Sequence, residues 1–396
     1  MSGLHVAMVG TRGVPARYGG FETAVEEVGR RLVERGHRVR VYCRTTVGAP
    51  QRTHLGMELV TLPAMRRRSL ETLSHTGMSL AHLLARRTDV ALVFNAANAP
   101  FLPALRAARV PVATHVDGLE WMRAKWGGAG RRYYRLAETG AVRWSDALIA
   151  DAIGIADYYR AEYGAPTTLL SYGAPVLAPQ DTDALTAAGL APGGFHLVVA
   201  RFEPENHVDL LVDGYVRSAA RLPLVVVGSA PYADAYTQRV HALAGADPRV
   251  RFLGGVWDQR LLDQLYAHAL TYAHGHSVGG TNPSLLRAIG AGTATVAYDV
   301  SFNREVLGED GVYVRDVDDV ARVLTAAEAD PDATAARGAR LRERARDYDW
   351  ELVTDGYEQL VHDLAGRRTP GPQRAARRRP AGATTLEAVP ALEVTP

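Results

Sequence analysis

Short runs of β-branched residues alternate with helix-length patterns along almost the whole chain, and this repetition narrows the possible folds sharply. Strand-like runs at His5–Val9, Arg38–Cys43, Glu58–Leu62, Val90–Phe94, Val110–His115 and Ala147–Ala150 are separated by helical patterns at Phe21–Glu34, Leu70–Ala85, Phe101–Ala108 and Arg131–Val142, and Ala152–Tyr163 follows the last of them. Such alternation predicts a parallel sheet covered on both faces. A Pro-, Gly- and Ala-rich stretch follows, and a second series then begins with strands His196–Ala200, Leu224–Val227 and Val250–Leu253 and helices Val208–Ala219 and Tyr232–Ala244. The reading is an α/β chain with two doubly wound Rossmann-like domains. Residues 1–172 form the first domain, 173–194 the connection, 195–349 the second domain, 350–365 a C-terminal helix and 366–396 a basic tail without periodicity. Ligands of open α/β sheets bind outside the carboxyl ends of the strands, so two such domains facing each other share a cleft.

Composition agrees with two folded domains. Of 396 residues 47% are hydrophobic and 22% charged, enough for two sizeable cores. The formal net charge of +2 supplies no field for nucleic acid, which is not expected as a partner. The tail from Gly366 carries six arginines against two glutamates, which leaves the body slightly acidic. Cys43 is the only cysteine, which excludes an intramolecular disulfide and points to a buried thiol in a reducing compartment. No window approaches the ~20 apolar residues of a membrane span, so a cytoplasmic location is expected.

Four segments carry chemistry. After the first strand, residues 10–23 hold four glycines and two arginines, and the loop includes Arg12, Gly13, Tyr18, Gly19 and Gly20. Glycines permit close backbone approach and free N–H groups at a helix start favour an anion, so a phosphate or sugar could dock here; a merely long turn is the plain alternative. The spacing is neither the dinucleotide pattern nor a P-loop. His115 and Asp117 end a first-domain strand, where either could assist an acceptor hydroxyl as general base; alternatively Asp117 caps a turn and His115 packs in the core. Arg201 ends a second-domain strand, where its planar cation can pair with phosphate oxygens. Gly279-Gly280-Thr281-Asn282-Pro283 precedes a helix from about Ser284, with Thr281 or Asn282 able to cap it, which makes a phosphate site. His274 and His276 have no neighbouring acid or cysteine to complete a metal set; donor-sugar contact or packing is expected of them.

The run from Thr11 to Thr23 resembles the opening of bacterial rhamnosyltransferase-type proteins in family 4 of the retaining glycosyltransferases, which have the GT-B fold. His115 to Trp121, Ala200 to Asn206 and His274 to Leu286 resemble the same group, and the likeness covers about residues 4 to 365. It implies a metal-independent enzyme, without cofactor, that moves rhamnose or another hexose from a nucleoside-diphosphate sugar to a growing cell-surface glycan or polyprenyl-linked acceptor.

By the same resemblance, Arg201 and the 279–284 turn hold the donor diphosphate, and His276 and Ser284 lie on the donor side. The family's lysine five residues after the arginine is Asn206 here, and its two glutamates eight apart are Gly279 and Arg287. Arg287 cannot accept a hydrogen bond from a ribose hydroxyl. These departures motivate one alternative, a catalytically weak or inactive GT-B protein that binds a glycan or partner; a sugar-nucleotide epimerase, which needs no acceptor, is a further alternative.

Three D-x-D spacings (Asp181/Asp183, Asp316/Asp318, Asp347/Asp349) precede helix-like segments, where aspartate is the expected cap, and no metal role is assigned to them. Peripheral contact with an anionic membrane would fall to the Met65 to Ala85 region with Arg66, Arg67 and Arg68, or to Trp121 to Tyr134 with Arg123, Lys125, Arg131 and Arg132.

Overall fold

The computed structural model describes residues 3–16, 19–45, 51–65, 70–116, 118–123, 126–228, 234–369 and 371. The first sheet contains β1 (His5–Val9), β2 (Arg38–Arg44), β3 (Thr53–His54), β4 (Met57–Leu62), β5 (Val90–Phe94), β6 (Val112–His115), β7 (Ala147–Ala150) and β8 (Thr168–Leu169), in the spatial order β3-β4-β2-β1-β5-β6-β7-β8. The second contains β9 (His196–Val199), β10 (Leu224–Val227), β11 (Val250–Gly254), β12 (Thr271–His274), β13 (Ala294–Tyr298) and β14 (Val312–Val314), in the order β11-β10-β9-β12-β13-β14. All pairings are parallel except that of β3 with β4.

The central strands are apolar on both faces because helices cover both. Val6, Ala7, Met8 and Val9 are all buried, as are the five residues of β5 and the four of β10. The helices are α1 (Gly20–Glu34), α2 (Glu71–Ala85), α3 (Leu102–Ala107), α4 (Gly128–Trp144), α5 (Ile153–Tyr163), α6 (Asp183–Ala187), α7 (Val208–Arg217), α8 (Asp234–Ala244), α9 (Gln259–His268), α10 (Pro283–Ala291), α11 (Ser301–Leu307), α12 (Val317–Ala329), α13 (Pro331–Arg344) and α14 (Trp350–Ala365). None of the described helices is long and apolar enough to cross a membrane.

Strand order locates the site. The first sheet reverses direction between β1 and β5, and the second between β9 and β12. Crevices open at such reversals, outside the carboxyl ends of the strands. The loops concerned are residues 10–19 and 95–98 in the first domain, and 200–206 and 275–282 in the second.

The last helix does not stay with the second sheet. It packs on α1, where Arg31 and Arg35 pair with Glu351, and Arg35 also reaches Asp355 and Glu358. Gly356 lies against Leu170, where an added Cβ would come within 2.4 Å of Cδ2. The outgoing and returning crossings run side by side, because the Ala174 N–H donates to the Tyr348 carbonyl at 2.7 Å and Gly173 packs flat on the Trp350 indole.

Candidate active site

The first-domain loop is built by glycines that no other residue could replace. Gly10 adopts φ +102°, and a Cβ there would lie 2.4 Å from the Phe94 carbonyl oxygen; at Gly13, φ +99°, it would meet Cys43 Sγ at 2.5 Å. The Arg12 N–H donates to Glu22 in the first turn of α1, and burial raises the Glu22 carboxyl above its usual range. The Arg12 side chain is exposed. Gly20 approaches the second domain, with its Cβ position 3.2 Å from Pro283 at the start of α10. Tyr18 lies outside the described residues, and so do Asp117, Arg66, Arg67, Arg68, Lys125 and the tail arginines Arg374, Arg377, Arg378 and Arg379.

His115, the last residue of β6, is enclosed by aromatic rings: Phe94 and Tyr172 stack on it at 5.8 and 6.2 Å, and Phe21 meets it edge-on at 5.0 Å. Burial pushes its pKa down to about 3, so the imidazole is neutral at physiological pH. Its Nδ1 has no partner among the described residues.

On the second domain, Arg201 follows β9 with its side chain 53% exposed in the cleft, 3.5 Å from Glu203. Asn206 is buried and does not project into the cleft. Its Nδ2 donates to the Arg201 carbonyl at 2.8 Å, which fixes Oδ1 as the acceptor for His276 Nδ1–H at 2.7 Å. The neutral His276 then carries its lone pair on Nε2, the atom 3.1 Å from where a Gly279 Cβ would stand. Burial above all, with neighbouring His274 and the charges of Arg123 and Arg201 after it, holds His276 well below its usual pKa. His274 is pushed down to about 3 by burial. Its Nδ1 meets the Tyr272 hydroxyl at 3.0 Å, and its buried Nε2 has no partner among the described residues.

The glycine-rich turn is gripped by the first domain. A Cβ on Gly118 would lie 2.2 Å from Gly279 Cα, and one on Gly280 would lie 2.1 Å from Asp151 Oδ1. The Thr281 hydroxyl donates to the Asp151 carbonyl at 2.6 Å. Asn282 caps α10 by accepting the Ser284 N–H at 2.9 Å. The N–H groups of Gly280 and Thr281 donate to no acceptor among the described residues. Arg287, one turn into α10, is held by Asp263 of α9 at 2.7 and 2.9 Å.

Two further links cross between the domains. Arg123 lies between Glu120 and the buried Glu205, 3.5 Å from the latter, and the Ile153 N–H donates to Glu305 at 2.8 Å. Sequence reasoning assigned no role to Asp151, Glu205 or Glu22. Asp151 directly follows β7, so strand-end position could have flagged it; nothing local distinguishes Glu205 from a solvated acid.

One acid of each D-x-D pair is occupied structurally. Asp316 and Asp349 cap α12 and α14, and Asp183 is held by Gln264 and Arg260. Among the described residues one group, His37, Glu358 and His362, has metal-ligand spacing. It lies away from the cleft, and His37 Nδ1 accepts the Leu4 N–H, so Nε2 carries a proton toward Glu358 and has no lone pair for a metal.

Two Rossmann-like sheets whose reversal points face each other define the GT-B class of α/β proteins. Residues 19–173 match the glycosyl transferase 4-like domain and residues 195–330 the glycosyl transferases group 1 domain, so the chain is built from the two domains of GT-B glycosyltransferases. Phosphatidyl-myo-inositol mannosyltransferase of Mycolicibacterium smegmatis is 31% identical over 173 residues, 41% of this chain and 43% of that protein. O-antigen chain mannosyltransferase B of Escherichia coli is 26% identical over 171 residues, 42% of this chain and 45% of the relative. Each match thus spans less than half of the relative's length. Among solved structures, sucrose-phosphate synthase of Thermosynechococcus elongatus superposes with TM-score 0.79 at 20% identity, over 92% of this chain and 100% of the other. HepE of Anabaena in complex with UDP superposes with TM-score 0.71 at 16% identity, over the same shares.

Proposed function

We propose that the chain is a glycosyltransferase that moves a hexose or deoxyhexose, such as rhamnose, from a nucleoside-diphosphate sugar to a glycan or lipid-linked acceptor, with retention and without a metal. The observation that carries this reading is convergence at the second domain's reversal point: the Arg201 guanidinium, the free N–H groups of Gly280 and Thr281 and the start of the capped helix α10 gather at one end of the sheet. That set suits the charge that grows on a departing diphosphate. His276 Nε2 is an acceptor for a donor-sugar hydroxyl, and the neutral His115 lies on the acceptor side. Asn206 acts through His276 by fixing its tautomer, while Arg12, Gly13, Gly19 and Gly20 shape the opposite wall.

A protein that binds a sugar nucleotide with weak or no turnover is the second reading. It is favoured by Gly279, whose φ of +137° is strained for any side chain and whose Cβ position lies 3.1 Å from His276 Nε2, and by Arg287, which is committed to Asp263. Thermal unfolding across a panel of nucleoside diphosphates and sugar nucleotides tests donor binding, with Arg201→Ala as control. A selective rise in midpoint that the substitution removes supports a donor site, and no rise at millimolar ligand refutes it. Transfer to, or hydrolysis of, the selected donor then separates the two readings, and isomer formation from donor alone would replace both with an epimerase.

A further inference from the structure

Beside the first-domain cleft loop lies a second concavity of about 450 Å³, lined by Trp121, Met122, Arg131, Arg132 and Arg135. Trp121 and Met122 belong to the single 3-10 turn that follows Gly118, and the arginines project from the first two turns of α4. The chemistry of this lining is one-sided. Among the described residues every polar side chain in it is a donor, and none is a carboxylate, hydroxyl or amide. Arg131 and Arg132 are exposed and make no ion pair among the described residues. The Arg135 guanidinium lies 4.2 Å above the Trp121 ring, a stacking that holds both groups in place. Two buried N–H donors, Trp121 Nε1 and Arg135 Nε, find no acceptor among the described residues. Glu138, one turn beyond Arg135, is engaged by the Tyr158 and Tyr163 hydroxyls.

Buried donors without acceptors are costly to leave unmade, and three guanidinium groups on one wall repel one another unless an anion sits among them. We infer that this pocket binds a phosphoryl group, carried by the acceptor, next to the cleft. The inference rests on the transferase reading for the word acceptor alone; the anion site stands on its own geometry. Arg131 and Arg132 supply charge, while the indole N–H and Arg135 Nε supply direction. Met122 and the indole face offer an apolar flank for the chain that bears the phosphate. The phosphate could be borne by a lipid or by a soluble acceptor, and the two sources give different results below.

The test uses the full chain in an Arg201→Ala background, so that the donor site does not compete, with inorganic pyrophosphate titrated by calorimetry. The expected result is one site whose affinity falls about tenfold or more in Arg131→Ala/Arg132→Ala, as loss of charge-assisted hydrogen bonds requires. Trp121→Phe, which keeps the ring and removes the N–H, should also weaken it. Pyrophosphate affinity unchanged by both variants overturns the inference. Sedimentation with phosphatidylcholine vesicles, with and without phosphatidic acid, separates the sources. Binding that needs phosphatidic acid and is lost in the double arginine variant assigns the phosphate to a lipid, whereas pyrophosphate binding without vesicle binding assigns it to a soluble acceptor. Nucleotide-dependent stabilisation of the protein with Arg201 intact, measured in parallel, reports on the donor site alone. Its absence would remove the transferase reading and leave the pyrophosphate result standing.

Discussion

Gly118→Ala isolates the apposition of the two domains. Gly118 has no left-handed φ, so alanine costs nothing in local backbone conformation. Its Cβ, however, would stand 2.2 Å from Gly279 Cα and 2.4 Å from Gly279 C. Carbon atoms in contact sit about 3.5–4.0 Å apart, so the two backbones must separate by roughly 1.5 Å. Neither side can yield by a rotamer change, since both are main chain. The Thr281 hydroxyl, now 2.6 Å from the Asp151 carbonyl, would move beyond hydrogen-bond reach.

Overpacking of this kind costs about 1–3 kcal/mol, which corresponds to about a five- to 150-fold shift toward the open arrangement. Amide hydrogen exchange reads it directly, because the Ile153 N–H is held across the interface by Glu305 at 2.8 Å. Exchange at Ile153 should accelerate about tenfold, while amides in the centres of β1 and β10 keep their protection. Donor turnover should fall by about two orders of magnitude, as an ångström of misplacement can cost that much. Exchange at Ile153 within twofold of the unsubstituted protein would refute the reasoning.

Further outcomes are expected. His115 and His274 have folded pKa values of about 3 against about 6.5 unfolded, so they contribute stability above pH 6.5 that is lost as pH falls from 6.5 toward 3. Unfolding midpoints should decline over that window, less steeply in His115→Phe; equal slopes would show that His115 is not held neutral. Asn282→Ala removes the cap on α10 and should cost about 1 kcal/mol in denaturant unfolding, a value to be compared with an exposed control such as Arg346→Ala. Because one acid of each D-x-D pair caps a helix or pairs with protein groups, EDTA should leave donor turnover unchanged, and a loss restored by added magnesium would contradict the metal-independent reading.

Most strands were legible because a parallel sheet buried on both faces writes continuous apolar runs: β1, β5, β7 and β10 fall where periodicity puts them. The two-residue strands β3 and β8 leave no such run, and β3 is an antiparallel edge that the βα pattern does not announce. At the site, the cap on α10 was readable as Thr281 or Asn282 before the proline and the apolar helix, and it is Asn282. The engagement of Asn206 with His276, and of Arg287 with Asp263, was not readable. Those partners are 70 and 24 residues apart, and the contacts depend on how whole elements pack rather than on any local rule.

The return of α14 to the first domain has a mechanical consequence. The chain crosses between the domains twice, and the crossings are stitched together at Ala174 and Tyr348. A single tether would let one domain swivel freely about its partner. Two strands bound side by side behave as a leaf hinge, stiff in twist and compliant in one bending direction, so that each opening of the cleft brings the same residues back into register.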